Sequence, residues 1–323
     1  MNRLFRDVVG AQVAPQGSVV CIGAFDGLHR GHQALVGHAL SRARVLGLPL
    51  VALSFEPLPR EFFARGETPP RLSLPRAKVD GLFALGAEAV GLLRFNAMLA
   101  SMSPQQFVER VLSDRLGARE VWVGPEFRFG KGRTGDLAAL QELGAKRGLV
   151  AAEIAPVHLD GERVSASIIR RQLADGDLAG AAVGLGRRYA ICGKVVHGRE
   201  LGRKLGYPTA NMRLMGKRAP LAGIYASWVH GVGPEPRASV SSLGTRPTVF
   251  GREPLLEAHL FDFDGDLYGQ RITVEFVEKL RDEERFDDLP ALVRQMDKDA
   301  AQARRILARD TAPCTTPSPG ATA

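Results

Sequence analysis

Two short runs of this chain hold residues whose types and spacing suit chemistry on phosphate: His29-Arg30-Gly31-His32 and Pro208-Thr209-Ala210-Asn211. The first lies within Gly23-Ala24-Phe25-Asp26-Gly27-Leu28-His29-Arg30-Gly31-His32, between an apolar run and an amphipathic stretch. Glycines such as Gly23 and Gly31, flanking Phe25, let backbone amides approach a ligand closely. A helix starting here places both imidazoles beside unpaired N–H groups and the positive end of its dipole, a place for a nucleotide triphosphate. Nucleotidyl transfer builds negative charge at phosphorus, and two imidazole donors stabilise it without a covalent intermediate. The alternative is a pair of surface histidines in a glycine-rich loop.

The second run sits in a glycine-rich, basic segment, Gly193-Lys194-Val195-Val196-His197-Gly198 followed by Gly202-Arg203 and Leu205 to Asn211, with Arg199, Lys204 and Arg213 nearby. Mobile backbone with cations suits a flap over polyphosphate. Thr209 and Asn211 offer hard oxygen ligands to Mg²⁺, which shares its ligands with nucleotide phosphates. Read in isolation they are turn formers after Pro208. Glu257 is a carboxylate in the apolar run Leu255 to Leu260. Either it lies on a solvated strand face, or it enters a site as the proton acceptor that phosphoryl transfer to an alcohol requires.

Two different folds must position these groups. From Ser18 to Ile154, apolar runs at Val19–Ile22, Leu50–Leu53, Ala89–Leu93, Val121–Val123 and Leu149–Ala152 alternate with amphipathic stretches at His32–Leu46, Pro104–Leu116 and Asp136–Arg147. That rhythm predicts an α/β doubly wound parallel sheet, whose ligands bind at the carboxyl ends of the strands. After Gly184, strands are expected at Tyr189–Val196, Gly223–Val232, Ala238–Gly244, Leu255–Phe263 and Gln270–Val277, with Asp264-Gly265 a hairpin signal. Strands without intervening helices indicate an antiparallel β-barrel or sandwich. An apolar stripe from Leu289 to Leu307, with Asp288 as cap and Pro290 in the first turn, predicts a C-terminal helix closing the barrel end. The expected division is 1–184, 185–310 and a disordered tail at 311–323 with nothing to bury.

The 323 residues carry a net charge of +8, which suits any anionic partner. Aromatics at 7% and the lack of an RNP, zinc-finger or basic-zipper pattern argue against nucleic acid. Cys21, Cys192 and Cys314 are far apart and form no Cys-x-x-Cys, which argues against a disulfide framework or zinc site and suits a reducing cytoplasm. Neither a signal core nor an apolar run of membrane-spanning length is present. Gly124 to Gly132 departs from P-loop spacing and has no Ser or Thr after Lys131, and Gly184-Leu185-Gly186 lacks the rest of a dinucleotide fingerprint.

Gly23 to His32, Ser54-Phe55-Glu56-Pro57-Leu58-Pro59, Gly124-Pro125-Glu126-Phe127-Arg128-Phe129-Gly130 and Val164-Ser165-Ala166-Ser167-Ile168-Ile169-Arg170 together resemble the FMN adenylyltransferase half of prokaryotic bifunctional riboflavin kinase/FAD synthetases, within the HxGH nucleotidyltransferases. The resemblance implies that Ser167 and Arg170 hold ATP phosphates. Gly193 to Asn211, Gly223-Ile224-Tyr225, Leu243 to Thr248, Asp262 to Gly269 and Leu280 to Glu283 resemble the riboflavin kinase half. This second resemblance implies Thr209 and Asn211 at Mg·ATP, Glu257 as base and Arg281 near the flavin. Riboflavin, FMN and ATP are the implied partners, with neither nucleic acid nor membrane. The chain departs from the family pattern at Glu56, Leu58, Glu126, Ala166 and Ser242, and Leu58 stands where an imidazole is usual. The rival readings are a nucleotidyltransferase for another phosphorylated metabolite, with a barrel that only binds, and a polynucleotide-binding module.

Overall fold

The computed structural model describes residues 2–198, 202, 205–248 and 251–310, with backbone alone at 245–248 and 251–253. Arg199, Arg203 and Lys204 of the expected flap, and the expected tail 311–323 with Cys314, lie outside the described residues. Contacts divide the chain into two compact units. One comprises Met1–Thr68 and Pro75–Ser165, and the other comprises Pro69–Leu74 with the chain from Ala166 onward.

In the first unit six strands form a parallel sheet: β1 (Arg3–Phe5), β2 (Ser18–Ile22), β3 (Leu50–Glu56), β4 (Ala89–Arg94), β5 (Ala118–Val123) and β6 (Val150–Glu153), in the order β1-β4-β3-β2-β5-β6. Five follow from their apolar runs. The edge strand β1, Arg-Leu-Phe, is too short to show a period. Apolar residues cover both faces, as a parallel sheet requires. Helices Arg30–Leu46 and Pro75–Ala84 contribute Leu35, Val36, Ala39, Ala43, Val79 and Leu82 to one face. Phe107, Val108, Val111, Leu112 and Leu140 cover the other. The chain runs outward from β2 through β3 and β4, then returns to place β5 on the opposite flank of β2. The carboxyl end of β2 is therefore the switch point, where ligands of such sheets bind. A small antiparallel pair follows, β7 (His158–Leu159) with β8 (Glu162–Arg163).

The second unit holds helices Ala166–Ala174 and Leu178–Leu185 and a closed six-stranded antiparallel barrel. Its strands are β9 (Ala190–Val196), β10 (Ala210–Arg213), β11 (Gly223–His230), β12 (Arg237–Thr248), β13 (Gly251–Leu260) and β14 (Arg271–Arg281), in the order β10-β13-β12-β11-β14-β9. β10 is the strand absent from the sequence expectation, because its four residues lie in the segment read as a ligand turn. Asp264-Gly265 joins no hairpin. β14 pairs with β11 and β9 rather than β13, and the left-handed residues of this connection are Asp262 and Gly269.

The helix Leu289–Arg309 begins as expected, with the Asp288 side chain accepting from Ala291 N at 2.6 Å. It does not close the barrel end. Ala303, Leu307, Ala300 and Ile306 pack with Ala226, Trp228, Ala238, Val240 and Val277, so the helix lies along the outer side of β11, β12 and β14. Its far end is fastened by the Asp310 carboxylate, which accepts from Arg188 Nη1 and Nη2 at 2.7 and 2.5 Å and from Trp228 Nε1 at 2.7 Å. Among the described residues no helix is long and apolar enough to cross a membrane.

Breaking a buried ion pair by removing one partner costs about 3–5 kcal/mol, and Arg188 keeps Glu275 at 3.4 Å, so Asp310→Ala is expected to destabilise the barrel unit by roughly 2 kcal/mol. Thermal melts followed by Trp228 emission in a Trp122→Phe background test this. An unchanged midpoint and emission maximum would show that Asp310 does not fasten the helix.

Candidate active sites

At the first site the loop leaving β2 passes through left-handed Phe25, Gly27 and Leu28, then enters the helix Arg30–Leu46. His29 is the N-cap, its Nδ1 accepting from His32 N at 3.4 Å, which fixes its ring at the helix mouth. His32 falls one turn in and stacks on His29, with centroids 3.8 Å apart and planes 22° apart. Gly31 is needed there, because a Cβ would stand 3.1 Å from the His29 ring. Phe25 is wholly buried and meets His32 edge-on at 5.3 Å, so it backs the imidazole instead of lining open space. Gly23 lies against the Phe25 ring.

Part of the His32 ring reaches solvent, yet its Nδ1 is enclosed without a hydrogen-bond partner. Burial, then His29, then Lys78 hold the His32 imidazole well below its usual 6.5. Sequence reasoning missed Lys78, a lysine buried in the helix Pro75–Ala84 with Nζ 3.3 Å from Ser54 Oγ, which itself donates to Ala24 O at 3.1 Å. Its only signal in the sequence was a lone cation between Ala77 and Val79. Asp26, 1% exposed, pairs with Arg60 at 2.9 Å across the same loop. Past the ends of β3 and β4, Phe62 and Phe63 stay exposed while meeting Phe95 edge-on at 5.3 and 5.8 Å. Leu58, where the family pattern has an imidazole, is wholly buried. Glu126 is exposed and paired with Arg163 at 3.0 Å.

Ser167 and Arg170 belong to the second unit, in the first turns of the helix Ala166–Ala174. Ser167 is exposed. Arg170 is buried, with Nε donating to Pro70 O at 2.7 Å.

The second site is a cavity of about 350 Å³ whose lining includes Thr209, Asn211, Glu257, His259, Arg281 and Met296. It lies outside the barrel. Leu256, Ala258 and Leu260 of β13 are buried, whereas the alternate residues Glu257 and His259 share the face of Val240, which packs under the C-terminal helix. Glu257 stands in register between Asn211 on β10 and Ser242 on β12. Burial lowers the His259 pKa, so its neutral ring holds a proton on Nδ1 and donates to Pro208 O at 2.9 Å, pinning the turn before Thr209. The Tyr207 hydroxyl donates to Asp297 of the helix; burial, then Asp297, push the phenol up to about 12.

Asn211 is buried, and its Nδ2 donates to Thr209 O at 3.0 Å. Its Oδ1 is enclosed without a partner, and a Cβ on Gly198 would strike the same amide. The Thr209 hydroxyl accepts from the same Nδ2 at 3.3 Å, and the hydroxyl and amide oxygens of this pair are of the type that suits a hard cation. Among the described residues no cluster of three or more His, Cys, Asp or Glu is placed to hold a metal ion. Arg281 lines the cavity with its guanidinium on Asp299. Gly193 faces Met212 inside the barrel, and Lys194 is exposed on β9; neither lines the cavity.

Two families match consecutive parts of the chain: FAD synthetase over residues 11–168 and riboflavin kinase over residues 185–307. A bifunctional riboflavin kinase/FMN adenylyltransferase of Pseudomonas fluorescens is 43% identical over 308 residues, covering 95% of this chain and 98% of that protein. The protein of the same name from Escherichia coli K12 is 41% identical over 305 residues, covering 94% and 97%. A crystal structure from Streptococcus pneumoniae, of a protein described as macrolide-efflux, superposes with a TM-score of 0.76 at 29% identity, covering 94% of this chain and 98% of that one.

The depressed His32 pKa has a definite sign. As pH falls through 6.5 the unfolded chain binds a proton that the folded site resists, so the His32 contribution disfavours the fold on the acid side and vanishes above that pH. In the free protein His32 is expected to titrate below 6.5, and a bound triphosphate should raise its midpoint. An NMR titration assigned with His32→Gln checks both. A midpoint at 6.5 or above without nucleotide contradicts the burial argument.

Proposed function

The chain belongs to the family of bifunctional riboflavin kinases/FMN adenylyltransferases, and from that premise we propose which of its residues carry each reaction. It phosphorylates riboflavin with ATP to give FMN, then adenylylates FMN with a second ATP to give FAD and pyrophosphate. The proposed division is an adenylyltransferase domain through residue 184 and a kinase domain at 185–310, supported by the second family match beginning at 185. We assign the enzyme to the cytoplasm, in keeping with the free thiols Cys21 and Cys192.

In the kinase, Glu257 accepts the proton of the riboflavin 5′-hydroxyl as its oxygen attacks the γ-phosphorus and ADP leaves. Thr209 and Asn211 hold Mg²⁺, which when bound neutralises the nucleotide phosphates. The observation that supports this reading is the register pairing of Glu257 with Asn211, both of which line the cavity with Thr209. Arg281 contacts the flavin from the far side of the cavity.

In the adenylyltransferase, an FMN phosphate oxygen attacks the α-phosphorus and pyrophosphate leaves. That nucleophile is already ionised at neutral pH, so no base is required. His29 and His32 act as donors to the crowded phosphate oxygens, aided by the N-terminus of the helix that His29 caps. Gly23, Phe25 and Gly31 shape that loop. Ser167 and Arg170 bind the leaving phosphates, as the family resemblance implies. The exposed rings of Phe62 and Phe63 offer the flavin a stacking surface.

With riboflavin, ATP and Mg²⁺, His29→Ala and His32→Ala are each expected to lower FAD formation by about 10²–10³-fold while FMN accumulates. Glu257→Ala is expected to lower FMN formation by about 10²–10⁴-fold while FMN supplied directly still becomes FAD. Product analysis by HPLC decides. Loss of both activities from any one change in a folded protein would refute the assignment of residues to separate reactions.

A further inference from the structure

Asp299 sits five per cent exposed on the C-terminal helix, a carboxylate among Leu292, Met296 and Ala303. It accepts from Arg281 Nε at 3.0 Å and Nη2 at 2.7 Å, and from Gln295 Nε2 at 2.9 Å. Arg281 Nη1 donates to Asp282 O at 2.9 Å, with Glu284 Oε2 4.0 Å away, and the guanidinium lies 5.7 Å from the Phe286 ring centre. A guanidinium has five N–H donors in a rigid fork. Asp299 takes the side edge of that fork and the Asp282 carbonyl takes one N–H of Nη1, which leaves one N–H on each terminal nitrogen. Arg281, Phe286 and Asp299 all line the cavity.

We propose that Asp299 is a positioning residue of the riboflavin site, holding Arg281 so that its remaining N–H groups meet the carbonyl edge of the flavin ring. The proposal rests on the reading that Arg281 contacts the flavin. A buried ion pair is a poor stabiliser, since well-packed apolar residues commonly do as well, but it fixes orientation. Orientation matters here because Glu283 and Glu284 also line the cavity and compete for the guanidinium. Without Asp299, Arg281 turns toward them and its remaining N–H groups leave the flavin. Gln295 holds Asp299 in turn, so the three form a chain from helix to ligand.

Asp299→Asn keeps the shape and removes the charge. Its riboflavin KM is expected to rise about tenfold, the worth of one charge-assisted hydrogen bond, with kcat and the ATP KM within about threefold of wild type. Adenylylation of supplied FMN by the same preparation should be unchanged. A lower kcat with both KM values unchanged is what a purely structural role gives, and overturns the proposal. Arg281→Gln separates the two levels of inference. If it raises the riboflavin KM and Asp299→Asn does not, Asp299 is not a positioning residue; if Arg281→Gln itself leaves that KM unchanged, the flavin contact falls and the proposal with it. Should Asp299→Asn fail to fold, Gln295→Ala leaves the ion pair but loosens Asp299, and is expected to raise the riboflavin KM about threefold. No rise in that variant overturns the proposal equally.

Discussion

Each site is organised around a buried polar atom that the protein leaves without a partner: His32 Nδ1 in the parallel-sheet unit and Asn211 Oδ1 in the barrel unit. Such an atom costs about 1–3 kcal/mol, so it persists only where neighbouring structure holds it in place. His32 is held by stacking on His29, by the edge of Phe25 and by the first turn of its helix. Asn211 is held by the ladders of β9 and β13 and by the bond of its amide nitrogen to Thr209 O. In both cases the surrounding structure fixes the side chain and encloses one end of it without a hydrogen bond. The rest of each unit is legible as the means of holding that end still.

In the barrel unit the holding is done from outside. A barrel of six strands has a narrow interior, filled among the described residues by side chains such as Tyr225, Met212, Leu256, Ile272, Val274 and Phe276. The cavity therefore forms on the outer face, with the C-terminal helix as its opposite wall. That helix touches the site on two sides, through Asp297 at Tyr207 and Asp299 at Arg281, and is fastened at its end by Asp310. A helix serving only to cover Ala226, Val240 and Phe261 would need none of these carboxylates.

The sequence carried the layer architecture well, because a parallel sheet announces itself as separated apolar runs and an open-faced strand as alternation. Glu257 is an example: as a carboxylate in an apolar run it belonged either to a solvated face or to a site, and it lines the cavity together with Leu292 and Met296 of the helix. What was not legible depended on contacts between distant residues. β10 is four residues long and gains its pairing from β9 and β13. Asp264-Gly265 has hairpin chemistry, but the strand order places β11 and β12 between β13 and β14. Lys78 reads as an ordinary helix cation until Ser54 is seen against it, and Asp299 as a surface acid until Arg281 closes on it. Phe62 and Phe63, apolar in sequence, remain exposed at the end of the short helix Pro59–Phe62.

The two chemistries explain why the sites carry different titratable groups. A ribityl hydroxyl is a weak nucleophile with a proton to lose, so the first reaction calls for a proton acceptor, the role proposed for Glu257, which stands in register with Asn211 and Ser242. The product is a phosphate monoester, already an anion near neutral pH, so the second reaction needs no base and a carboxylate at its attacking oxygen would repel it. Imidazoles suit that step because a neutral ring donates a hydrogen bond without adding negative charge. Burial keeps His32 in that neutral state, and the approach of a triphosphate favours a further proton on the enclosed nitrogen. The nucleophile made at one site thus dictates the absence of a base at the other.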